Sequence, residues 1–239
     1  MISSRHILQR ALEAEEAGAL LETSAYNALQ MATDICAGEY GKTAEDVLFG
    51  LSKSEGQERP LHIVNCGEDT RPRVAVLQAE KGISGLVTAA SQSRMWADLV
   101  NTSALIGSMQ QLGAARGMFD RACAYLNNRV LDGRPLSDRE AIRESVGELY
   151  VCLFGAVMAC RKAIGTASSV GDTFDRATIA ARLMALRASQ IVSAGSMRLH
   201  GGVAMIAGDP MDVLALRQND YIRIYGSAVE WRLRLARMP

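Results

Sequence analysis

Two stretches near the end of the chain hold the residues best suited to chemistry: Leu199-His200-Gly201-Gly202, and Arg223-Ile224-Tyr225-Gly226 with Glu230 four residues beyond. Adjacent glycines closing an apolar-periodic run imply a tight turn or a close approach of backbone to another group, and a plain helix C-cap meets the same description. His200 can touch a bound molecule or cap the last carbonyls of its helix. Glu230 is a candidate proton acceptor, against the alternative of a solvent-facing side chain paired with Arg232 or Arg234. His6 and His62 lack the spacing of metal ligands, so no metal site is expected. No Gly-x-Ser-x-Gly, phosphate-loop or Rossmann fingerprint is present.

The elements that position these residues are mostly helical. Apolar residues at near-helical spacing predict a helix over 7–35, with Leu8, Leu12 and Ala19 on its first stripe and Glu15 and Glu16 interrupting it. Thr43, with Glu45 and Asp46 behind it, caps a short second helix reaching Leu48 or Leu51. The β-branched runs 61–65 and 73–77 read as short strands, with a third possible over 84–88. From Met95 onward four long helices are expected. The first carries Leu105, Met109, Leu112, Ala115, Phe119, Ala122 and Leu126 at three- and four-residue spacing. The second starts at Ser137, with Glu140 closing a capping box, and continues as the seam Ile142, Val146, Leu149, Leu153, Ala156 and Cys160. Asp172 opens the third, which carries Ile179, Leu183 and Leu186. Asp209-Pro210 opens the fourth, which runs on through an Arg-rich stretch to Met238. Short links imply antiparallel neighbours. The expectation is a mainly α chain: a helical segment (1–55), a short β-rich segment (56–92) and an antiparallel four-helix bundle (93–239).

The totals narrow the function classes. Lys plus Arg and Asp plus Glu are both 26, so there is no basic excess for nucleic acid and little net charge to hold subunits apart. Five cysteines, an odd number without Cys-x-x-Cys spacing, suit a reducing cytoplasm. The N-terminus has no signal-peptide core, and no apolar run approaches a membrane span. A soluble, cytoplasmic protein without membrane or nucleic-acid partners is expected.

Leu199-His200-Gly201-Gly202-Val203-Ala204-Met205, then Asp209-Pro210, then Arg223-Ile224-Tyr225-Gly226, resembles the C-terminal signature of acyl-CoA dehydrogenases. Arg129-Val130-Leu131-Asp132-Gly133-Arg134-Pro135-Leu136 is similar to that family's Arg-x-x-Phe-Gly-x-x-Leu motif, with Asp132 in place of the aromatic and Glu140 in place of a following glutamine. The resemblance covers roughly Ser91 to Pro239. It implies that the Gly-Gly turn lies against FAD and that Arg129 reaches the FAD pyrophosphate of a neighbouring subunit, as guanidinium readily bonds phosphate oxygens. A solvated arginine at a helix C-terminus is the alternative. Arg129, His200, Gly201 and Gly202 are the candidate cofactor-binding residues.

In the family a glutamate removes the α-proton of the thioester, and it directly follows the Ile-Tyr pair. Gly226 stands there. Some members place the glutamate in the first bundle helix instead, at a position aligning with Ser103, and Asn101-Thr102-Ser103 has no carboxylate. The resemblance therefore implies the smaller, base-less subunit of a heteromeric, FAD-dependent acyl-CoA dehydrogenase. Bacterial enzymes acting on steroid-derived CoA thioesters are similar in pairing two unlike subunits, commonly as α2β2 heterotetramers. FAD is then shared with a larger homologous partner that supplies the base, and the substrate is an acyl-CoA. The competing expectations are a helical scaffold that has lost FAD, and a self-sufficient dehydrogenase using Glu230.

Overall fold

The computed structural model describes residues 4–20, 94–169, 172–206 and 209–238. The remainder of the first predicted helix, the predicted helix after Thr43, the predicted strands between 61 and 88, Cys36, Cys66 and His62 lie outside the described residues.

The chain is mainly α. Helix α1 spans Ser4–Leu20 and α2 spans Arg94–Asn128. A two-residue hairpin follows, with β1 (Val130–Leu131) antiparallel to β2 (Arg134–Pro135). Then come α3 (Glu140–Gly165), α4 (Thr173–His200), α5 (Pro210–Tyr225) and α6 (Ala228–Ala236). Helices α2 to α5 form the bundle. Asn101 on Asp175, Gln111 on Ser189 and Tyr125 on His200 show α2 and α4 running parallel. Leu149 packs at Gly195 and Cys160 at the Ala181 carbonyl, so α3 runs against α4. Gln218 bonds the Gln111 carbonyl while Tyr225 lies on Gly107, so α5 runs against α2. The order is up-down-up-down, as short links demand.

Helix α2 is the central post. All seven apolar residues from Leu105 to Leu126 that the spacing selected are buried. On α3 the predicted seam holds from Leu149 onward, while Ile142 and Val146 are only half-buried. Asp209 caps α5 through the Met211 amide at 2.8 Å with Pro210 at the first helical position, as its sequence requires.

Four expectations need correction. On α1 the buried stripe is Ile7, Ala11 and Ala14, while Leu8 and Leu12 are exposed. Glu15, which seemed to break the apolar stripe, is itself buried and holds Arg116 of α2 at 3.1 Å and Arg161 of α3 at 3.8 Å. Gly113 permits this docking, because a Cβ there would lie 1.9 Å from the Glu15 carbonyl oxygen.

The Ser137–Glu140 capping box does not form. Leu136–Asp138 curls into a 3-10 turn, and extended Arg139 becomes the N-cap without a side-chain bond. Asp172 opens α4 as expected, standing at the N-cap without a side-chain bond. The predicted fourth helix is two. Gly226 at φ +84 breaks it, and Ser227 with Glu230 forms a capping box that restarts the chain as α6.

Candidate active site

Because α2 and α4 are parallel, their C-terminal ends meet. The Tyr125 and His200 rings stack there at 4.7 Å between centroids and 27° between planes. Gly201 follows at φ +76, its amide donating to the Met197 carbonyl at 3.1 Å, so the glycine is a true C-cap. His200 does not cap these carbonyls with its side chain; its Nδ1 is buried and has no hydrogen-bond partner. Gly202 opens a 3-10 turn over Gly202–Met205, and a Cβ on it would meet nothing within 4 Å.

The same end carries Arg129. Its amide donates to the Tyr125 carbonyl at 2.8 Å, and its own carbonyl accepts from the Leu136 amide at 2.9 Å. The backbone is thus held from both sides while the guanidinium is exposed and has no bond among the described residues. Asp132 and Gly133 turn the hairpin with φ of +55 and +75, which suits an Asp-Gly pair. The Asp132 carboxylate is engaged by Arg139 at 3.0 Å. Arg129 therefore stands free of the acidic residue that replaces the family's aromatic. The structure brings Arg129, His200, Gly201 and Gly202 to one end of the bundle. An exposed guanidinium, a side-chain-free turn and an unbonded imidazole nitrogen over a tyrosine ring fit a flat, phosphate-bearing group such as FAD.

Gly226 and Glu230 lie elsewhere. Tyr225 rests on Gly107, and Tyr125 is about 27 Å farther along α2 at 1.5 Å per residue. The Gly226 break is closed from inside by Arg182 of α4, which is fully buried. Its Nη2 donates to the Tyr221 carbonyl at 3.1 Å and the Gly226 carbonyl at 3.2 Å. Its Nη1 donates to Gln111 Oε1 at 2.7 Å and Ser108 Oγ at 3.3 Å. Burial lowers the Arg182 pKa to about 10, with Cys160 and Tyr225 opposing the shift, so it stays a cation at neutral pH. Trp231 Nε1 donates to the Tyr225 carbonyl at 2.7 Å.

This packing decides what position 226 can hold. A Cβ there would lie 2.9 Å from Trp231 Nε1 and 3.3 Å from Glu230 Oε2, on a backbone with φ +84 and ψ 149 that is essentially glycine-only. Glu230 neither faces solvent freely nor pairs with Arg232 or Arg234. Its Oε2 accepts from the Ser227 amide at 2.6 Å as the third residue of the capping box. Arg234 bonds Asp175 at 3.3 Å instead. Ser103 is buried, and its hydroxyl donates to the Val100 carbonyl at 3.0 Å.

Sequence reasoning missed Tyr125, Arg182 and the buried group of Asn101, Asp175 and Arg234. Arg182 had a signal, a cation within the otherwise apolar run 179–186 of α4. Tyr125 had none, because its partner lies 75 residues away in sequence. Among the described residues no group of three or more His, Cys, Asp or Glu is placed to hold a metal, and no helix is long and apolar enough to cross a membrane.

The profile of the acyl-CoA dehydrogenase C-terminal domain matches residues 95–236. Acyl-CoA dehydrogenase IpdE2 of Mycolicibacterium smegmatis is 32% identical over 107 residues, which are 45% of this chain and 32% of that protein. Its namesake from Mycobacterium tuberculosis is 30% identical over 107 residues, with the same shares. The match thus spans about a third of the length of these relatives. Among solved structures, the Tcur3481-Tcur3483 steroid ACAD G363A variant is similar with a TM-score of 0.55 at 22% identity, covering 59% of this chain and 39% of that one. The ChsE4-ChsE5 complex from Mycobacterium tuberculosis gives 0.55 at 21% identity, covering 62% and 41%. These last two likenesses are of fold. With its bundle matched over most of its length, the chain belongs to the acyl-CoA dehydrogenase family and carries that family's C-terminal helical domain.

Proposed function

We propose that this chain is the base-less subunit of a heteromeric, FAD-dependent acyl-CoA dehydrogenase, assembled with a larger homologous subunit as an α2β2 heterotetramer. The observation that carries this reading is Gly226. Its backbone is glycine-only, its carbonyl is bonded by Arg182, and its Cβ direction is filled by Trp231. A general base must reach the proton it removes. Neither Ser103, bonded to its own helix, nor Glu230, bonded to the Ser227 amide, is free to do so. The partner supplies the carboxylate.

Bound at this end of the bundle, FAD would supply the acceptor for the hydride of the substrate's β-carbon. This chain's part is to hold it. Arg129 neutralises a phosphate, and Gly201 and Gly202 let the ligand approach backbone without a side chain between. His200 offers a ring nitrogen beside Tyr125. The separation of this cluster from Gly226 supports a site completed across a subunit boundary. A steroid-derived acyl-CoA is the proposed substrate class. Likeness to proteins named acyl-CoA dehydrogenase IpdE2 supports the acyl-CoA, likeness to a steroid ACAD structure supports the steroid, and the two-name complexes among the neighbours support the partner. The test is co-expression with the homologous subunit, followed by an absorbance spectrum of the purified complex. A yellow complex with FAD released on denaturation is expected. A colourless complex would replace this reading with a helical scaffold.

A further inference from the structure

Tyr125 links three of the four candidate cofactor-binding residues. Its ring stacks on His200 at 4.7 Å between centroids. Its carbonyl accepts from the Arg129 amide at 2.8 Å. Its hydroxyl oxygen lies 4.0 Å from where a Cβ on Gly201 would stand. Tyr125 belongs to the last turn of α2 and His200 is the last residue of α4, so the parallel run of the two helices brings them level.

The His200 imidazole depends on such a neighbour. Gly201 and Gly202 follow it and offer no side chain to pack on the ring. Its buried Nδ1 makes no hydrogen bond, so no bond at that atom fixes the ring plane. A side chain free to turn at a helix end must be ordered when a ligand binds, which weakens binding. A ring pair at 4.7 Å and 27° is a close aromatic contact, and such pairs are stabilising beyond the area they bury. Tyr125 is itself fixed, because its backbone is helical and its carbonyl is engaged by Arg129. That same bond sets where Arg129 leaves the helix.

We propose that Tyr125 is a positioning residue for FAD, an assignment that rests on the flavin reading above. Its ring holds the His200 imidazole in the plane that the bound group meets, and it acts through His200 rather than on the ligand. The aromatic ring carries this role and the hydroxyl does not. Arg129, through the backbone, and His200, through the stack, are thereby set in one fixed relation beside the Gly201 turn.

The test measures FAD retention on dilution by the full chain co-expressed with the larger subunit. In parallel, NMR of the full chain labelled in its three histidines reads the His200 ring protons. In wild type the tyrosine ring should shift those protons upfield. Tyr125→Phe should keep both the shift and the wild-type retention. Tyr125→Leu should lose the shift and weaken retention roughly two- to tenfold, the worth of one aromatic pair, at unchanged helical circular dichroism. His200→Ala should weaken retention at least as much, and Tyr125→Leu added to it should bring no further loss. Unchanged retention in Tyr125→Leu overturns the proposal. So does a double-variant loss equal to the product of the two single losses, which would make Tyr125 an independent contact. Equal losses in Tyr125→Phe and Tyr125→Leu overturn it as well, because the hydroxyl would then be the contact. A colourless wild-type complex ends the flavin reading and this assignment together, whereas a yellow one with any of the contrary results ends this assignment alone.

Discussion

Arg182, in the middle of α4, donates to the carbonyl of Gly226 at 3.2 Å, tying the centre of the bundle to the break between α5 and α6. A cation with no solvent exposure thus closes the end of α5 through Tyr221 and Gly226, while Gln111 and Ser108 hold its other amine. Gly226, the position where the proposed reading looks for a glutamate, is here part of the core's hydrogen-bonding scheme.

Restoring the glutamate by substitution should therefore fail. Gly226→Glu places a side chain at φ +84 against Trp231, and a non-glycine residue in such a region costs about 1–3 kcal/mol. The expected result is an unfolding free energy in urea lower by that amount and no gain in activity for this subunit. An undiminished midpoint would show that the loop rearranges freely.

Removing Arg182 should cost more. Arg182→Met leaves the Tyr221 and Gly226 carbonyls and the Gln111 amide oxygen without their donor, at about 1–3 kcal/mol for each buried group left unpaired. Arg182→Lys should recover little, since one ammonium cannot fork between two carbonyls and two side chains. Equal midpoints for the Lys variant and wild type would contradict this geometry.

Much of the scaffold was legible in the sequence, and the failures have physical causes. The apolar spacing of α2 and the Asp209-Pro210 start are local signals, and both hold. Leu8 and Leu12 fit a helical stripe as well as Ile7 and Ala11 do. The choice between the two faces was made by Gly113 and the Glu15 ion pairs, which are tertiary. Ser227 and Glu230 carry a capping-box spacing as clear as that of Ser137 and Glu140. The first forms and the second does not, because Gly226 frees the chain ahead of Ser227 while a 3-10 turn takes up Ser137. In the site, Arg129 and the glycine pair were legible as motifs. The Tyr125–His200 stack that brings them together depends on the parallel register of α2 and α4.

Cys160 gives a pH signature. Burial raises its pKa from the ordinary 9.0 to about 12, so the folded state holds a proton that the unfolded state releases. Its contribution is complete below pH 9 and is lost as pH rises through 12, at a limit of about 1.4 kcal/mol per pH unit. Arg182, lowered to about 10, acts in the opposite sense only above that pH. Unfolding free energies from urea titrations should fall by ~1 kcal/mol between pH 8.5 and 10 in wild type and stay flatter in Cys160→Ala. A wild-type slope shared by the variant would remove Cys160 as its source.

Arg129→Ala should weaken FAD retention by the assembled complex roughly ten- to a hundred-fold, the worth of one charge-assisted bond of about 1.5–3 kcal/mol. Its exposed side chain supports no packing, so helical circular dichroism should not change. Equal flavin occupancy on dilution would return Arg129 to a solvated surface residue.

The most direct measurement is anaerobic bleaching of the flavin when acyl-CoA is added to the assembled complex, because it reports proton and hydride removal together. Glu230→Gln in this chain should leave the bleaching rate within a few-fold of wild type, its carboxylate being engaged by the Ser227 amide. The aligned glutamate of the larger subunit, changed to glutamine, should abolish bleaching without releasing FAD, since loss of a general base costs about 10²–10⁴ in rate. If Glu230→Gln stops the bleaching and the change in the larger subunit does not, this chain is the catalytic subunit and the assignment of roles is wrong.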